Sequence, residues 1–367
     1  MAEPLKNLYN VHFFDPFCAL LEAVLRGFDR DEFMGNIHDE QWEERELKDR
    51  MKHVRQSLTP YLSDDFEHAT ADIIQLIQQI EKSLLASCRL EFMFLPDYVA
   101  KHGIENFEVS VHALERITQF TSCEFAVRPF IKEYEERMME QMLKWTTHKN
   151  HHVRRLASEG CRPRLPWAAA LPRFKSDPGP ILPILENLKN DTSEYVRRSV
   201  ANNLNDISKD HPDLVLSISK QWIGKSAQTD RIVKHAGRTL LKKGDVRALE
   251  LFGFHSPKEI ELAEFECPES VMIGNGLNFS FRLINNGTDL QKLRIEYGVD
   301  YLKSKGSSNR KIFQVSEMEL EPGKSATFKR IRSFQNMTTR THYPGEHSLA
   351  ILVNGRELAK SVFMVSG

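Results

Sequence analysis

The chain has 367 residues, enough for about two domains that each bury a core, and its hydrophobic content of 41% is that of a globular protein. The net charge of −1 hides a segregation: residues 1–143 carry 15 Lys+Arg against 27 Asp+Glu, whereas residues 144–243 carry 19 against 9. No apolar run approaches the roughly 20 residues that cross a bilayer, the opening MAEPLKNLYN holds no leader core, and five scattered cysteines argue against a closed disulfide framework, so a cytoplasmic protein with a basic binding face is expected.

From Phe13 to about Ile131 the apolar residues recur at helical spacing. Phe17, Leu20, Leu21, Val24 and Leu25 form one predicted stripe, and Ile73, Leu76, Ile77, Ile80 and Leu84 another. Asp29 and Asp31 are both candidate N-caps, and Pro16, Pro60 and Pro96 are expected at helix starts or turns. A weak repeat follows. HHVRRLASE, EYVRRSVAN and RIVKHAGRT each place a valine before two basic side chains, and Val153, Val196 and Val233 are 43 and 37 residues apart. That period suits HEAT-type helical pairs stacked into a right-handed α-solenoid. With the valines inside, Arg154, Arg155, Arg197, Arg198, Lys234 and His235 form a predicted outward ladder for the phosphates of duplex DNA, joined by Arg162, Arg164 and Arg238. The competing expectation is that these arginines tie neighbouring repeats together.

The helical pattern stops at LFGFHSP, and the chain is expected to divide there into a helical domain, 1–254, and a second domain, 255–367. The second alternates apolar and polar residues over about seven short strands, separated by Asn286-Gly287, Pro322-Gly323, Pro344-Gly345 and Asn354-Gly355, as in an immunoglobulin-like β-sandwich. Its polar loops GTDLQK, KSKGSSNRK and QNMTTRTHYPGE are either ligand contacts or ordinary hairpin loops.

Two tempting motifs fail. Gly224-Lys225-Ser226 lacks the first glycine of a phosphate-binding loop, because Ser219 stands there. His148, His151 and His152 have no Cys or carboxylate set to complete a zinc pattern, and no metal is expected. More informative is the stretch 148–175, which carries Glu159 and Trp167 within a run of positive charge; the positions equivalent to Glu159 in the other two repeats hold Asn202 and Thr239.

FTSCEFAVRPFI, HVRRLASEGCRPRLPW, ILPILENLKND and EYVRRSVANNLNDISKDHPD closely resemble the AlkC branch of the AlkC/AlkD superfamily of DNA alkylation-repair glycosylases. MAEPLKNLYNVHFF, FLPDYV and IVKHAGRTLLKKGD extend the resemblance over the whole helical part. It implies a helical-repeat domain followed by an immunoglobulin-like domain, and excision of cationic N-alkylated bases, chiefly 3-methyladenine with 3-methylcytosine and 1-methyladenine, without base flipping. It also implies that Glu124 and Glu159 are the catalytic carboxylates and Trp167 the aromatic wall. An alkylated base already carries positive charge and leaves without a general acid, so a carboxylate for the oxocarbenium-like sugar and one for the water suffice.

From the residues themselves other roles stay open. Glu124 and Arg128 are four apart and fit a helix-surface ion pair, Glu159 fits a neutraliser of its basic neighbours, and Trp167 after Pro166 fits a core residue at a helix start. Asn202 and Asn203 fit either DNA contacts or caps. The expected protein is a monomeric, monofunctional glycosylase with no cofactor and with alkylated duplex DNA as its partner. The competing classes are a non-catalytic HEAT scaffold and a binder of acidic protein tails.

Overall fold

The computed structural model describes residues 3–304, 306–337 and 340–367. It comprises a helical-repeat part and a β-sheet domain, as expected. The chain packs into two compact units: one holds the helices up to Asp210 and takes in Ile223–Ala236 as well, and the other is formed by His211–Trp222 with Gly237–Gly367.

In the first unit the helix Val11–Val24 is capped by Asn10, whose side chain accepts the His12 N–H at 2.9 Å. Its buried face is Phe13, Phe14, Phe17, Cys18 and Leu21, so the predicted stripe is turned toward the N-terminus and Leu20 and Val24 sit at its margin. Pro16 lies inside this helix rather than at its start. The hydrogen bond it removes is offset by aromatic packing of Phe13 and Phe17 against Phe92, with centroids 5.2 and 5.5 Å away. Asp29 caps Arg30–Ile37, which settles the choice against Asp31. Phe66–Ile80 buries Ile73, Leu76, Ile77 and Ile80 as predicted. Leu84 does not follow them: the helix ends at Ile80, and Leu84 is 91% exposed.

The repeat valines Val153, Val196 and Val233 are fully buried on the helices His151–Gly160, Glu194–Ile207 and Ala227–Ala236. The small residues beside them let neighbouring helices approach. A Cβ on Gly160 would lie 2.5 Å from Val127 Cγ2, so only glycine fits there.

In the second unit, β1 (Ile260–Glu266), β3 (Gly276–Asn285) and β6 (Ser325–Ser333) form one sheet in the order β1-β3-β6. The other runs β2-β8-β7-β4-β5, with β2 (Ser270–Met272), β4 (Gln291–Leu302), β5 (Ser308–Leu320), β7 (Gly345–Val353) and β8 (Arg356–Ser366). Alternate residues Leu277, Phe279, Phe281 and Leu283 meet Leu293, Ile295, Tyr297 and Val299 in the core. β2, three residues paired parallel to β8, escaped the sequence reading because so short a run has no visible alternation. Asn354 and Gly355, with φ of 46° and 77°, make the β7–β8 turn, as the Asn-Gly signal predicts. The predicted loop KSKGSSNRK is shorter than expected, since β5 begins at Ser308. Lys305 of that loop, and Thr338 and Thr339 of QNMTTRTHYPGE, lie outside the described residues.

Composition changes near residue 254, but packing divides the chain elsewhere. The helices Pro212–Trp222, Arg238–Lys242 and Val246–Leu251 belong to the second unit, where Leu216, Leu240, Leu241, Ala248, Leu249 and Phe254 share one apolar cluster. No helix among the described residues is long and apolar enough to cross a membrane.

Candidate active site

The helix His151–Gly160 starts where the Asn150 side chain accepts the His152 N–H at 2.8 Å. Arg155 and Glu159, four residues apart, share one face of it, and Arg162 follows in the next turn. Glu159 is 5% exposed. Its Oε1 accepts from Arg162 Nη1 at 2.6 Å and lies 3.5 Å from Arg155 Nη2. Arg155 reaches back to the turn before Val127–Glu133, where it pairs with Glu124 and donates to Ser122 Oγ at 2.7 Å. Ser122 in turn donates to Glu124 Oε2 at 2.8 Å. The Tyr195 ring lies 4.8 Å from the Arg155 guanidinium. Arg162 Nε donates to Asp206 Oδ2 at 2.9 Å, and Lys209 Nζ to Asp206 Oδ1 at 3.0 Å.

Six side chains thus alternate in charge: Glu124, Arg155, Glu159, Arg162, Asp206, Lys209. Burial on this scale requires pairing, because an unpaired interior ion costs several kcal/mol. Burial opposes the charge on Arg155, yet Glu124 and Glu159 outweigh it and raise its pKa. Two carboxylates therefore share one permanent cation.

The alternative of a Glu124–Arg128 surface pair is not what forms. Arg128 is buried and spans three carbonyls instead: Nη1 donates to Gly160 O and Arg162 O at 2.9 Å each, and Nε and Nη2 donate to Ala169 O at 3.1 and 2.7 Å. Burial pushes its pKa down to about 10, which leaves it cationic near neutrality. Through these bonds it closes residues 160–169 into a fixed loop, and Trp167 stands on that loop.

Trp167 is not a core residue at a helix start. It lies in a turn, 58% exposed, with φ of 64°, and its carbonyl accepts from Lys48 Nζ at 2.6 Å. The same Lys48 Nζ lies 5.5 Å from the Phe125 ring, which places the Trp167 backbone beside the turn that carries Glu124. A cleft of about 220 Å³ opens next to Arg155, lined also by Arg89, Thr121, Ser122, His152 and Tyr195. Burial, then His151, Arg89 and Arg155, push the His152 pKa down to about 4, so this imidazole is neutral near pH 7.

The predicted ladder is broken up. Arg154 is turned onto Asp191, with Nε to Oδ2 at 2.5 Å and Nη2 to Oδ1 at 2.9 Å, and Arg197 donates to Asp191 O and Thr192 O. For Arg154 the repeat-tying alternative describes the structure, since Asp191 lies 37 residues away at the next repeat; Arg197 instead binds the turn that leads into its own helix. Arg162 is buried in the charge chain, and Arg164 is bidentate on Asp210. Arg198 is exposed beside Glu194 at 3.6 Å; Lys234 and His235 are exposed on the first unit, where His235 Nε2 meets Asn202 Oδ1 at 2.9 Å. Arg197, Arg198, Arg231 and His235 line a second cleft of about 170 Å³. Arg238 belongs to the second unit. Asn203 is buried and donates to Ser158 O at 2.8 Å, a tie between repeats and not a DNA contact. His148 faces Glu115 at 3.8 Å, apart from the His151 and His152 rings, which lie 4.2 Å from each other at a tilt of 34°.

Sequence reasoning missed Ser122, Tyr195, Asp206 and Lys48. One signal could have found Tyr195: it precedes the repeat valine as His152 does. The others act across 33 to 119 residues of sequence, which no local pattern records.

A family of DNA alkylation repair enzymes matches residues 48–236, and the C-terminal immunoglobulin-like domain described for YhaZ matches residues 261–367. The uncharacterized protein YhaZ of Bacillus subtilis is 43% identical over 352 residues, spanning 96% of each chain. The solved structure of Pseudomonas fluorescens alkylpurine DNA glycosylase AlkC, bound to DNA containing an abasic site analog, superposes over 100% of both chains with a TM-score of 0.93 and 36% identity. The chain belongs to the DNA alkylation repair enzyme family, in its AlkC branch.

Proposed function

We propose that this protein is a monofunctional DNA glycosylase that hydrolyses the N-glycosidic bond of cationic N-alkylated bases and leaves an abasic site. Its substrates are chiefly 3-methyladenine, with 3-methylcytosine and 1-methyladenine. The observation that carries the reading is the Glu124–Arg155–Glu159 bridge, with the exposed Trp167 on a strained turn whose backbone is tied by Lys48 beside Phe125. One carboxylate stabilises the oxocarbenium-like sugar, and the other orients the attacking water or takes its proton. The Trp167 face attracts a charged base by roughly 0.5–2 kcal/mol and so favours the lesion over neutral bases. The base departs by its own lability, so it need not be flipped into a pocket. The similarity to AlkC, whose structure holds DNA, supports DNA as the partner; we take the protein to be a monomer acting in the cytoplasm.

The direct test is release of free base from a duplex carrying 3-methyladenine. Release above the buffer rate is expected; DNA binding with release at the buffer rate would instead leave a non-catalytic scaffold. The two kinds of arginine should also separate. Arg198→Ala is expected to lower the slope of log affinity against log salt by about 1, as for a phosphate contact. Arg154→Ala is expected to leave that slope unchanged and to lower the melting temperature, because it strands the buried Asp191 carboxylate. A reduced slope for Arg154→Ala would return it to the DNA surface.

A further inference from the structure

Asp206 sits on the helix Glu194–Ile207, one repeat beyond Glu159, and is 2% exposed. The chemistry above makes no use of it. Its Oδ2 accepts Arg162 Nε at 2.9 Å, while Nη1 of the same guanidinium donates to Glu159 Oε1 at 2.6 Å. The N–H directions of a guanidinium are fixed relative to one another, so holding one edge sets the aim of the other. Both ends of this link are themselves held: Arg128 binds the Arg162 carbonyl at 2.9 Å, and Lys209 occupies Asp206 Oδ1 at 3.0 Å. We propose that Asp206 is a positioning residue for base excision, acting through Arg162 to hold the Glu159 carboxylate in its reactive place. The inference rests on the glycosylase reading.

A plain tie between repeats is the alternative, and the molecule contains one for comparison. Arg154 and Asp191 also pair across repeats, but the rest of that guanidinium goes to the carbonyls of His148 and Lys149. Arg162 differs because its free edge ends on the carboxylate at the centre of the site. Asp206→Asn keeps the shape and one acceptor oxygen and removes only the charge that pins Arg162. A misplaced group of this kind costs about 10- to 100-fold in rate.

The experiment measures single-turnover release of 3-methyladenine from a duplex by the full-length chain, by Asp206→Asn, by Arg162→Lys and by the double variant. Affinity for a duplex with an abasic analog and the melting temperature are recorded beside it. The expected result is release about 10- to 100-fold slower with Kd within about twofold, and a double variant no slower than the slower single one, since the two residues form one unit. Asp191→Asn, the comparison tie, is expected to lower the melting temperature and leave release unchanged. Wild-type release by Asp206→Asn, a loss that tracks Kd, or losses that multiply in the double variant would each overturn the inference. Should Asp206→Asn not fold, Arg162→Lys carries the same comparison, because a lysine keeps the charge and cannot bridge both carboxylates. An unaltered chain that releases no base overturns the glycosylase reading itself, and this inference with it.

Discussion

Glu159→Gln is expected to bind a lesion-containing duplex with the affinity of the unaltered protein and to release base about 100- to 1,000-fold more slowly, the loss typical of removing one preorganised charge from an active site. The substitution keeps the volume and an acceptor oxygen for Arg162, so the fold has little reason to change. It removes the negative charge that sits between Arg155 and Arg162. The positive sugar then forms beside two arginines with one carboxylate fewer to oppose them. Single-turnover release and equilibrium binding measured on the same preparation check this. Release at the wild-type rate would move the role to Glu124, whose side chain is the more open of the two carboxylates at 16% against 6%.

The largest effect on stability is expected at Arg128. Arg128→Met fits the space but leaves the carbonyls of Gly160, Arg162 and Ala169 without their donor, the first two of them buried. Each unmet acceptor costs about 1–3 kcal/mol, partly offset because the buried cation itself is gone. A net loss of roughly 3–5 kcal/mol follows, a fall in melting temperature on the order of 10 °C. Excision should fall as well, since the loop that carries Trp167 loses its anchor. Thermal unfolding with and without DNA measures the first effect. An unchanged melting temperature would show that water replaces the guanidinium and that the loop holds itself.

Much of the architecture was readable from local chemistry. The cap of Asp29, the buried valines at 153, 196 and 233, and the alternation in β3 all follow from residues a few positions apart. Glu159 could be singled out because the equivalent positions hold Asn202 and Thr239. The cross-repeat pairing was not readable. Arg162 meets Asp206 from 44 residues away, and Arg154 meets Asp191 from 37. Periodicity says which face of a helix is inside, but it does not say which carboxylate of the next repeat comes within reach. A ladder of arginines therefore looked like one surface, whereas Arg154 joins its repeat to the next and Arg197 folds back onto the turn before its own helix. Trp167 was ambiguous for a related reason: its backbone conformation is imposed by Lys48 and Arg128, both far away in sequence.

The left-handed backbone at Trp167 sets stability and chemistry against each other at a single position. An L-residue held at φ 64° raises the energy of the native chain by about 1–2 kcal/mol, a cost that glycine would not incur. The exposed indole recovers little of that through packing, since more than half of it faces solvent. Selection for heat resistance alone would therefore favour glycine at 167 and yield a sturdier protein without the indole to which we assign the charged base. On the proposed reading, stabilising this protein without disarming it means leaving a strained tryptophan in that turn.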